Sequence, residues 1–475
     1  MRPQFATGSA VMTITRTITV AAGVFAPGHL GELTQIVPFD LADAVLAETG
    51  TVQRRLRALP SRVGLYFVLG LCLFPAAGYR GVWAKLAARL DVPCPDLKAL
   101  RDLRRRIGAA PVKALFELLA GPVAWPRTPG VMFGRYRTVA FDGCRSVKVP
   151  DTERNRGWLG KMNAALGETG YPVIQLMTLC ETGTRALIGA VFGSPADGEI
   201  TWARKLLHLL DETMLVLMDR GFDAGEFLAD VAATKAQFLV RLTATRRPPV
   251  LRHLPDGSIL SLIGGVRVRI IAASVTVTCH DGATYGSNYR LATTLLDHRA
   301  WPAGALIALY HERWEHEIAY LALRHTLLQG RVLRSRDPAG LEQEMWALLA
   351  LYQALRIAIT DAVATVPGTD PDRASYQVAA ETAADLVTSA SNIISGTPDL
   401  VGGIGRAVLA SLHGPRRPRV CARKVKSPLS RWNKHPPGKP RKNLRVTRIT
   451  TTINPDHQQK PETRHRRCLT PAPGP

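Results

Sequence analysis

Two aspartates and a glutamate are the residues of this sequence best suited to chemistry. Asp142 and Asp219 each end a run of strand type, and a glycine follows each within two residues. Glu317 lies in a run with helical spacing. Carboxylates at strand ends project from the edge of an open α/β sheet, where ligands gather. Together the three could hold two hard divalent ions, Mg²⁺ or Mn²⁺, around the attacking and leaving oxygens of a phosphodiester. A lone aspartate at a strand end is more often a turn or cap residue.

The predicted helix that carries Glu317 has other polar residues on the same face. Tyr310, Arg313, Glu317 and Arg324 stand at offsets 0, 3, 7 and 14. At about 100° per residue, these positions fall within about 60° of one another. Tyr310, Arg313 and Arg324 are therefore predicted to bind DNA phosphates beside the carboxylate, with Arg313 exposed toward the site. The same spacing would also suit a structural ion pair between Arg313 and Glu317.

The elements that must position these residues are predicted from hydrophobic patterns. In chain order, we predict three strands, a helix, a strand, a helix and a strand, namely Tyr136–Asp142, Val173–Cys180, Ala186–Phe192, Ile200–Leu210, Met214–Asp219, Ala224–Ala233 and Gln237–Leu242. This is the order of an α/β ribonuclease-H-like core. A β-rich insertion follows at about 244–297, and helices return at Ala303–Leu328 and Leu341–Thr365.

The charge balance points to a polyanionic partner. The 475 residues include 61 Lys and Arg against 38 Asp and Glu, a formal net charge of +23. Nucleic acid is the usual partner of so basic a protein, and an anionic membrane surface is the main alternative. Most of the excess lies in the Pro-rich segment 413–475, which has 17 basic and two acidic residues. Such a composition predicts a tail that is mostly disordered until it binds DNA.

Three regions are therefore expected. Residues 1–130 form an all-α N-terminal domain, residues 131–412 the catalytic domain, and residues 413–475 the basic tail. The N-terminal domain is expected to bind DNA. The helix with Lys98, Arg101, Arg104, Arg105 and Arg106 could contact phosphates there, or could present an ordinary solvated face.

Other features favour a cytoplasmic protein without a membrane span. The apolar run between Arg62 and Arg80 is interrupted by Pro75 and is shorter than the about 20 residues that span a bilayer. The N-terminus has no signal-peptide pattern. The seven cysteines are scattered without a C-x-x-C pair, as expected in a reducing compartment.

The chain resembles DDE transposases of the bacterial insertion-element-four group. The resemblance is carried by FDGCRSVKVPDTERN around Asp142, LVLMDRGF around Asp219, and the helix Tyr310-x2-Arg313-x3-Glu317-x6-Arg324, in which Arg324 replaces the family's lysine. It implies that Asp142, Asp219 and Glu317 bind the metal ions. It also implies cleavage at the terminal inverted repeats of double-stranded DNA and joining of the freed 3′-hydroxyl to target DNA, by a homodimer on DNA.

Some features of the family are open in this sequence. In some relatives an extruded base stacks on a tryptophan of the β insertion, but no tryptophan lies between Trp202 and Trp301. Tyr285 or Tyr289 could take that place, or could be an ordinary loop residue. Two other functions also remain open: a non-catalytic DNA-binding protein derived from a transposase, and a metal-dependent nuclease without a joining step.

Overall fold

The N-terminal part of the chain is helical. The computed structural model describes residues 29–54, 59–90, 92–164, 167–311, 313, 319–391, 393, 401–414, 419–420 and 444–453. Its first helices are α1 (Phe39–Glu48), α2 (Ser61–Leu73), α3 (Tyr79–Leu86), α4 (Leu97–Ile107) and α5 (Ala110–Leu119). Helix α2 is the interrupted apolar run, and its residues are almost all buried, as expected of a core helix.

One large sheet forms the centre of the protein. Its strands are β1 (Met132–Phe133), β2 (Tyr136–Lys148), β5 (Val173–Glu181), β6 (Leu187–Gly193), β7 (Met214–Met218), β8 (Gln237–Arg241), β9 (Arg252–His253), β10 (Ile259–Ile263), β11 (Val266–Cys279), β12 (Thr284–Thr293), β13 (Arg419–Val420) and β14 (Leu444–Ile453); β3 (Met162–Ala164) and β4 (Gly167–Thr169) form a separate hairpin. The order across the main path is β13-β14-β11-β12-β8-β7-β2-β5-β6. Strands β2, β7 and β8 are parallel, whereas β5 is antiparallel to both of its neighbours, β2 and β6.

The expected β-rich insertion extends this sheet. It consists of β9 to β12, and β12 pairs with β8 at the edge of the parallel strands. Strand β10 pairs with β11, which is a single long strand that also pairs with β12.

Helices cover both faces of the sheet. On one face lie α7 (Glu199–Arg204) and α8 (Gly225–Ala233), packed against Val139 and Phe141 of β2. On the other face lies α9 (Ala303–His311), packed against Ala140 of β2 and Leu217 of β7. Because side chains alternate along a strand, residues two positions beyond Ala140 and Leu217 face the α9 side.

The helices after residue 337 share one core with the N-terminal helices. These are α10 (Pro338–Ala364), α11 (Tyr376–Thr388) and α12 (Gly402–Ala410), while the shorter α6 (Glu153–Leu159) follows β2. By length and hydropathy α10 could cross a membrane, but 83% of its apolar window is buried inside the protein. Such burial is typical of a core helix.

Helix α4 carries the predicted cluster of basic residues, and its contact with α10 accounts for one of them, Arg104. Arg104 is 6% exposed, donates hydrogen bonds to Gln343, Ser335 and Tyr79, and lies 3.2 Å from a Glu344 carboxylate oxygen. A buried, paired guanidinium stabilises the helix contact and cannot reach DNA. The phosphate-contact interpretation is therefore wrong for Arg104.

The basic tail contributes a strand to the sheet. Residues Leu444–Ile453 form β14, which pairs with β11. The pairing runs from Ala273 opposite Ile453 to Cys279 opposite Val446. For this segment the expectation of disorder is wrong. Threonines and β-branched residues dominate it, and they favour a strand when an open sheet edge is available. The rest of the tail after His413, apart from Gly414 and β13, lies outside the described residues.

Candidate active site

Asp142 and Asp219 lie beside each other where β2 and β7 separate. The last pair of this parallel ladder is Ala140 with Leu217, an offset of 77 residues. The same offset separates Asp142 from Asp219, so each aspartate stands two residues beyond that pair. Neighbouring strands are about 4.8 Å apart. The two carboxylates therefore start from adjacent positions on the sheet face that carries α9.

The sequence had suggested that Asp142 ends its strand, but it does not. Strand β2 continues to Lys148, and beyond Ala140 it pairs with β5 alone. Asp142 lies opposite Thr178 of β5. The ladder with β7 stops earlier because the chain after Met218 turns into a short 3₁₀ helix. At Asp142 the strand is therefore paired with another strand on one side only, and the residue is partly exposed.

Hydrogen bonds fix the main chain around Asp142. The buried hydroxyl of Tyr320 donates to the Asp142 carbonyl oxygen at 2.5 Å and lies 3.0 Å from the Thr178 hydroxyl. The carboxylate itself accepts from the N–H of Gly143 at 3.0 Å. Burial, with the charge of Asp142 as a further cause, raises the pKa of Tyr320 well above its usual range. Tyr320 therefore stays protonated and remains a donor.

Asp219 is the N-cap of the 3₁₀ helix Arg220–Phe222. Its carboxylate accepts from the N–H of Gly221 at 2.7 Å. One lone pair is thus used to orient the side chain, while the remaining oxygen sites are left for a cation. The apolar strand before Asp219 is buried throughout, so the position of this carboxylate is held by the core.

The residues of the predicted stripe lie near the two aspartates. Tyr310 is the penultimate residue of α9 and is 5% exposed. Burial raises the pKa of Tyr310 to about 12. The charges of Arg313, Arg241 and Asp219 have smaller effects on this pKa, so these three residues lie near Tyr310. Arg313 is 9% exposed, so the expectation that it is exposed is wrong. Its position is a turn, where α9 has already ended, and a single continuous helix is therefore not formed.

Arg324 lies on the other side of the same region. It belongs to a π-helical segment, Ala322–Leu327, rather than to regular α-helix. Its charge and that of Asp142 both act on the pKa of Cys144, which burial raises, so Arg324 and Asp142 share this neighbourhood. Glu317, the third predicted metal ligand, lies outside the described residues.

Tyr289 is the insertion tyrosine that faces this region. Its ring centroid lies 6.2 Å from that of Tyr310 and 5.8 Å from that of His311, and the guanidinium of Arg241 lies 4.5 Å from it. Tyr289 is therefore part of an aromatic and cationic surface next to the aspartates.

Glu199 is a carboxylate at this site that the sequence analysis missed. A Cβ atom on Gly143 would lie 2.8 Å from Glu199 Oε1, and one on Gly221 would lie 2.9 Å from Asp219 Oδ1 and 3.6 Å from Glu199 Oε2. Burial, and then the charge of Asp219, raise the pKa of Glu199. The glycines after both aspartates thus make room for a carboxylate from α7. A glycine close behind each aspartate was the only sequence signal for it.

The donor set in the described residues is suited to a divalent cation but does not complete a site. Among the residues that the structure describes, no group of three His, Cys, Asp or Glu side chains is arranged to hold a metal ion. Asp142 and Asp219 alone offer two adjacent carboxylates, the ligand type that hard divalent ions prefer. Further ligands would have to come from Glu317, water or a bound phosphate.

Comparisons with known proteins relate most of the chain to transposases. Residues 27–117 match the family described as insertion element 4 transposase N-terminal, and residues 134–353 match the transposase DDE domain. The chain is 26% identical over 357 residues to the transposase InsG for insertion sequence element IS4 of Escherichia coli K12, covering 71% of this chain and 78% of that protein. It is 28% identical over 131 residues to the putative transposase InsZ of the same strain, covering 27% and 44% of the two chains.

A solved structure shares a coarse likeness with the chain. The piggyBac transposase in a synaptic complex with hairpin DNA matches with a TM-score of 0.38 and 9% identity, over 79% of this chain and 81% of that one. The stronger finding is the succession of two family matches, the second of which spans both aspartates and the Tyr310–Arg324 region. The chain belongs to the insertion-element-4 family of DDE transposases.

Proposed function

We propose that this transposase cuts the ends of its DNA element and joins them to target DNA at the Asp142–Asp219 edge of the sheet. The observation that carries the proposal is the register of β2 and β7, whose offset places the two aspartates side by side. DDE transposase domains generally use divalent metal ions. We propose Mg²⁺ or Mn²⁺, two ions, with Asp142, Asp219 and Glu317 as the protein ligands. Bound there, the ions would stabilise the charge that develops on the phosphate oxygens.

The protein's own residues would orient the DNA around this centre. Arg313 and Arg324 are cations close to Asp219 and Asp142, and guanidinium groups bind phosphate oxygens in a bidentate manner. The protonated hydroxyl of Tyr310 can donate to a phosphate near Asp219. Glu199 adds negative charge beside both glycines and would strengthen cation binding. The apolar strands β7 and β8 exclude water from below the site and hold the aspartates in place.

The catalytic core is proposed to be ribonuclease-H-like. Its support is the strand order β6-β5-β2-β7-β8, in which β5 runs opposite to the other four strands. The substrate is proposed to be double-stranded DNA, both the terminal inverted repeats and the target, bound by a homodimer. The net charge of +23 supports a DNA partner. An enzyme of bacterial DNA would work in the cytoplasm, at the nucleoid.

The test is DNA cleavage and strand transfer by the full chain. A linear duplex that carries an element end is incubated with Mg²⁺ or with Ca²⁺, and released ends and joined products are separated on gels. Cleavage and joining are expected with Mg²⁺, and neither with Asp142→Asn or Asp219→Asn. DNA binding should survive in both variants, because each keeps the shape of the side chain. Cleavage at an undiminished rate by either variant would reject the proposed site.

A further inference from the structure

A cleft lies beyond the end of β8, the strand next to the one that leads to Asp219. The loop after β8 and the turn between β10 and β11 enclose a cleft of about 380 Å³, which we call the arginine cleft. Its polar lining comes from Thr243, Thr245, Arg246 and Arg247, and Gly264 closes one side. Pockets of about 300–1,000 Å³ are typical of ligand sites.

Among the described residues, the arginines at this cleft outnumber the carboxylates. Arg246 and Arg247 line it, and Arg290 of β12 is close enough to be affected by both. Burial, and then the charge of Arg247, lower the pKa of Arg290, while the charge of Asp223 opposes them. Three guanidinium groups around one carboxylate repel one another, and a bound anion would relieve that repulsion.

The buried arginine has an incomplete set of partners. Arg290 is 5% exposed and donates to the carbonyl oxygen of Arg246 at 2.7 Å. Its Nε atom is buried and has no hydrogen-bond partner among the described residues. A buried charged donor without a partner is costly. Arg290 therefore adds buried positive charge behind the wall of the cleft, next to the main chain of Arg246.

Asp223 connects the cleft to the loop that begins at Asp219. Its carboxylate accepts from the N–H and the hydroxyl of Thr243 at 2.8 and 2.9 Å. Arg246 Nε lies 2.5 Å from Asp223 Oδ1, an ion pair without hydrogen-bond alignment, and its Nη2 donates to the Asp223 carbonyl oxygen. Asp223 thus fixes the loop geometry and neutralises Arg246. Arg247 is exposed, and its Nη1 donates to the carbonyl oxygens of Ala244 and Arg246 at 2.6 and 3.2 Å. This holds the guanidinium at the cleft, and its other nitrogen atoms remain available to a ligand.

The position of the cleft defines the class of ligand. Strands β2, β7 and β8 are consecutive neighbours in the sheet, and all three point their carboxyl ends to the same edge. At about 4.8 Å between strands, the main chain at Asp142 of β2 and the end of β8 are roughly 10 Å apart. A DNA strand held at Asp142 and Asp219 would therefore bring a neighbouring backbone phosphate to the cleft.

We propose that the arginine cleft binds a backbone phosphate of the DNA held at the Asp142–Asp219 edge, with Arg247 as the main contact. This inference rests on the proposed function. Because the contact is to a phosphate, it adds affinity and fixes the register of the strand without reading base sequence.

The test compares the salt dependence of DNA binding between variants of the full chain. Binding of a short duplex of arbitrary sequence is measured in Ca²⁺ at several salt concentrations. Arg247→Gln is expected to lower the slope of log K against log salt by about 0.9, the loss of one phosphate contact. Affinity should fall about tenfold at moderate salt. Arg247→Lys keeps the charge and should restore the slope while recovering affinity only in part.

The matched control is Arg204→Gln. Arg204 is a half-exposed arginine on α7 that is already paired with Asp230 at 2.8 Å and Glu226 at 3.7 Å. Removing it changes the net charge by the same amount, but the slope should stay as in the wild type. A slope unchanged in Arg247→Gln, or lowered equally in both variants, would overturn the proposal. So would a drop in melting temperature of Arg247→Gln with unaltered binding, since the residue would then be structural.

Cleavage by the wild type separates this inference from the proposed function. If the wild type cuts DNA in Mg²⁺ and Arg247→Gln binds DNA with the same affinity and salt slope as the wild type, the proposal for the arginine cleft is wrong. The assignment as an enzyme then still stands. If the wild type does not cut an element end, the proposed function fails whatever the salt slopes show.

Discussion

The hydroxyl of Tyr320 should support catalysis by holding the main chain of Asp142. Tyr320→Phe removes the 2.5 Å hydrogen bond to the Asp142 carbonyl and the contact with the Thr178 hydroxyl. Both partners are then left buried without this hydroxyl, which costs about 1–3 kcal/mol of stability. Asp142 also loses its tether to the helical side. Because misplacing a reacting group by about 1 Å can cost about 100-fold in rate, we expect cleavage to slow by roughly 10- to 100-fold.

Tyr66→Phe is the matched control. Tyr66 is fully buried in α2, and its hydroxyl donates to the Val37 carbonyl oxygen at 2.6 Å, in the helical core rather than at the sheet edge. Its loss should cost similar stability. Cleavage per folded molecule should remain at the wild-type rate, provided that the assay is run well below both melting temperatures.

Single-turnover cleavage and urea unfolding together test this reasoning. The expected pattern is a similar fall in unfolding free energy for both variants and a rate defect in Tyr320→Phe alone. Equal rates in the two variants would refute it, because Tyr320 would then be a packing residue with no influence on Asp142.

Three further perturbations have definite expectations. Gly143→Ala places a Cβ 2.8 Å from Glu199 Oε1, so Glu199 must move and cleavage should fall roughly tenfold, about 1.4 kcal/mol in barrier. Gly157→Ala, whose Cβ would meet nothing within 4 Å, should leave the rate unchanged. Burial raises the pKa of Asp361 from 3.8 to about 6, so its ionisation destabilises the fold as pH rises through that window. Asp361→Asn should therefore add up to about 3 kcal/mol to the unfolding free energy at pH 8 and progressively less from pH 6 toward pH 4, as urea titrations would show. Deleting residues 444–475 removes β14 and bares the edge of β11, which should lower the melting temperature and promote aggregation in size-exclusion runs; deleting only 455–475 should do neither. A stable, monodisperse 444–475 deletion would show that β14 is dispensable.

Local patterns were enough to predict most elements around the site. The apolar run Met214–Met218 corresponds to a strand that is buried on both faces. The alternation in β10 corresponds to a strand that is buried on one face. The order of strands and helices therefore emerged correctly, as did the helical N-terminal region. Asp142 and Asp219 stood out because a charged residue next to an apolar strand and a glycine is a local signal.

Long-range pairing was outside the reach of these patterns. The sequence suggested that Asp142 ends its strand, but β2 continues because β5 still pairs with it after β7 has turned away. The tail was read as disordered from its charge, yet Leu444–Ile453 pairs with β11, an edge far away in the sequence. Charge composition describes the free chain, whereas strand formation depends on whether a partner edge exists.

The sequence by itself determined which residue types were available for chemistry and which segments would be buried. Only the tertiary structure decided which of them meet. Paired residues of β2 and β7 are 77 residues apart in the sequence, and so are the two aspartates. This coincidence depends on the parallel pairing of two strands that a crossover connects. The approach of Glu199 to Gly143 and the burial of Arg313 and Arg104 depend on helices packed from distant parts of the chain. Hydrophobic periodicity is a property of neighbouring residues, but proximity in space is set by the packing of whole elements, which no local pattern encodes.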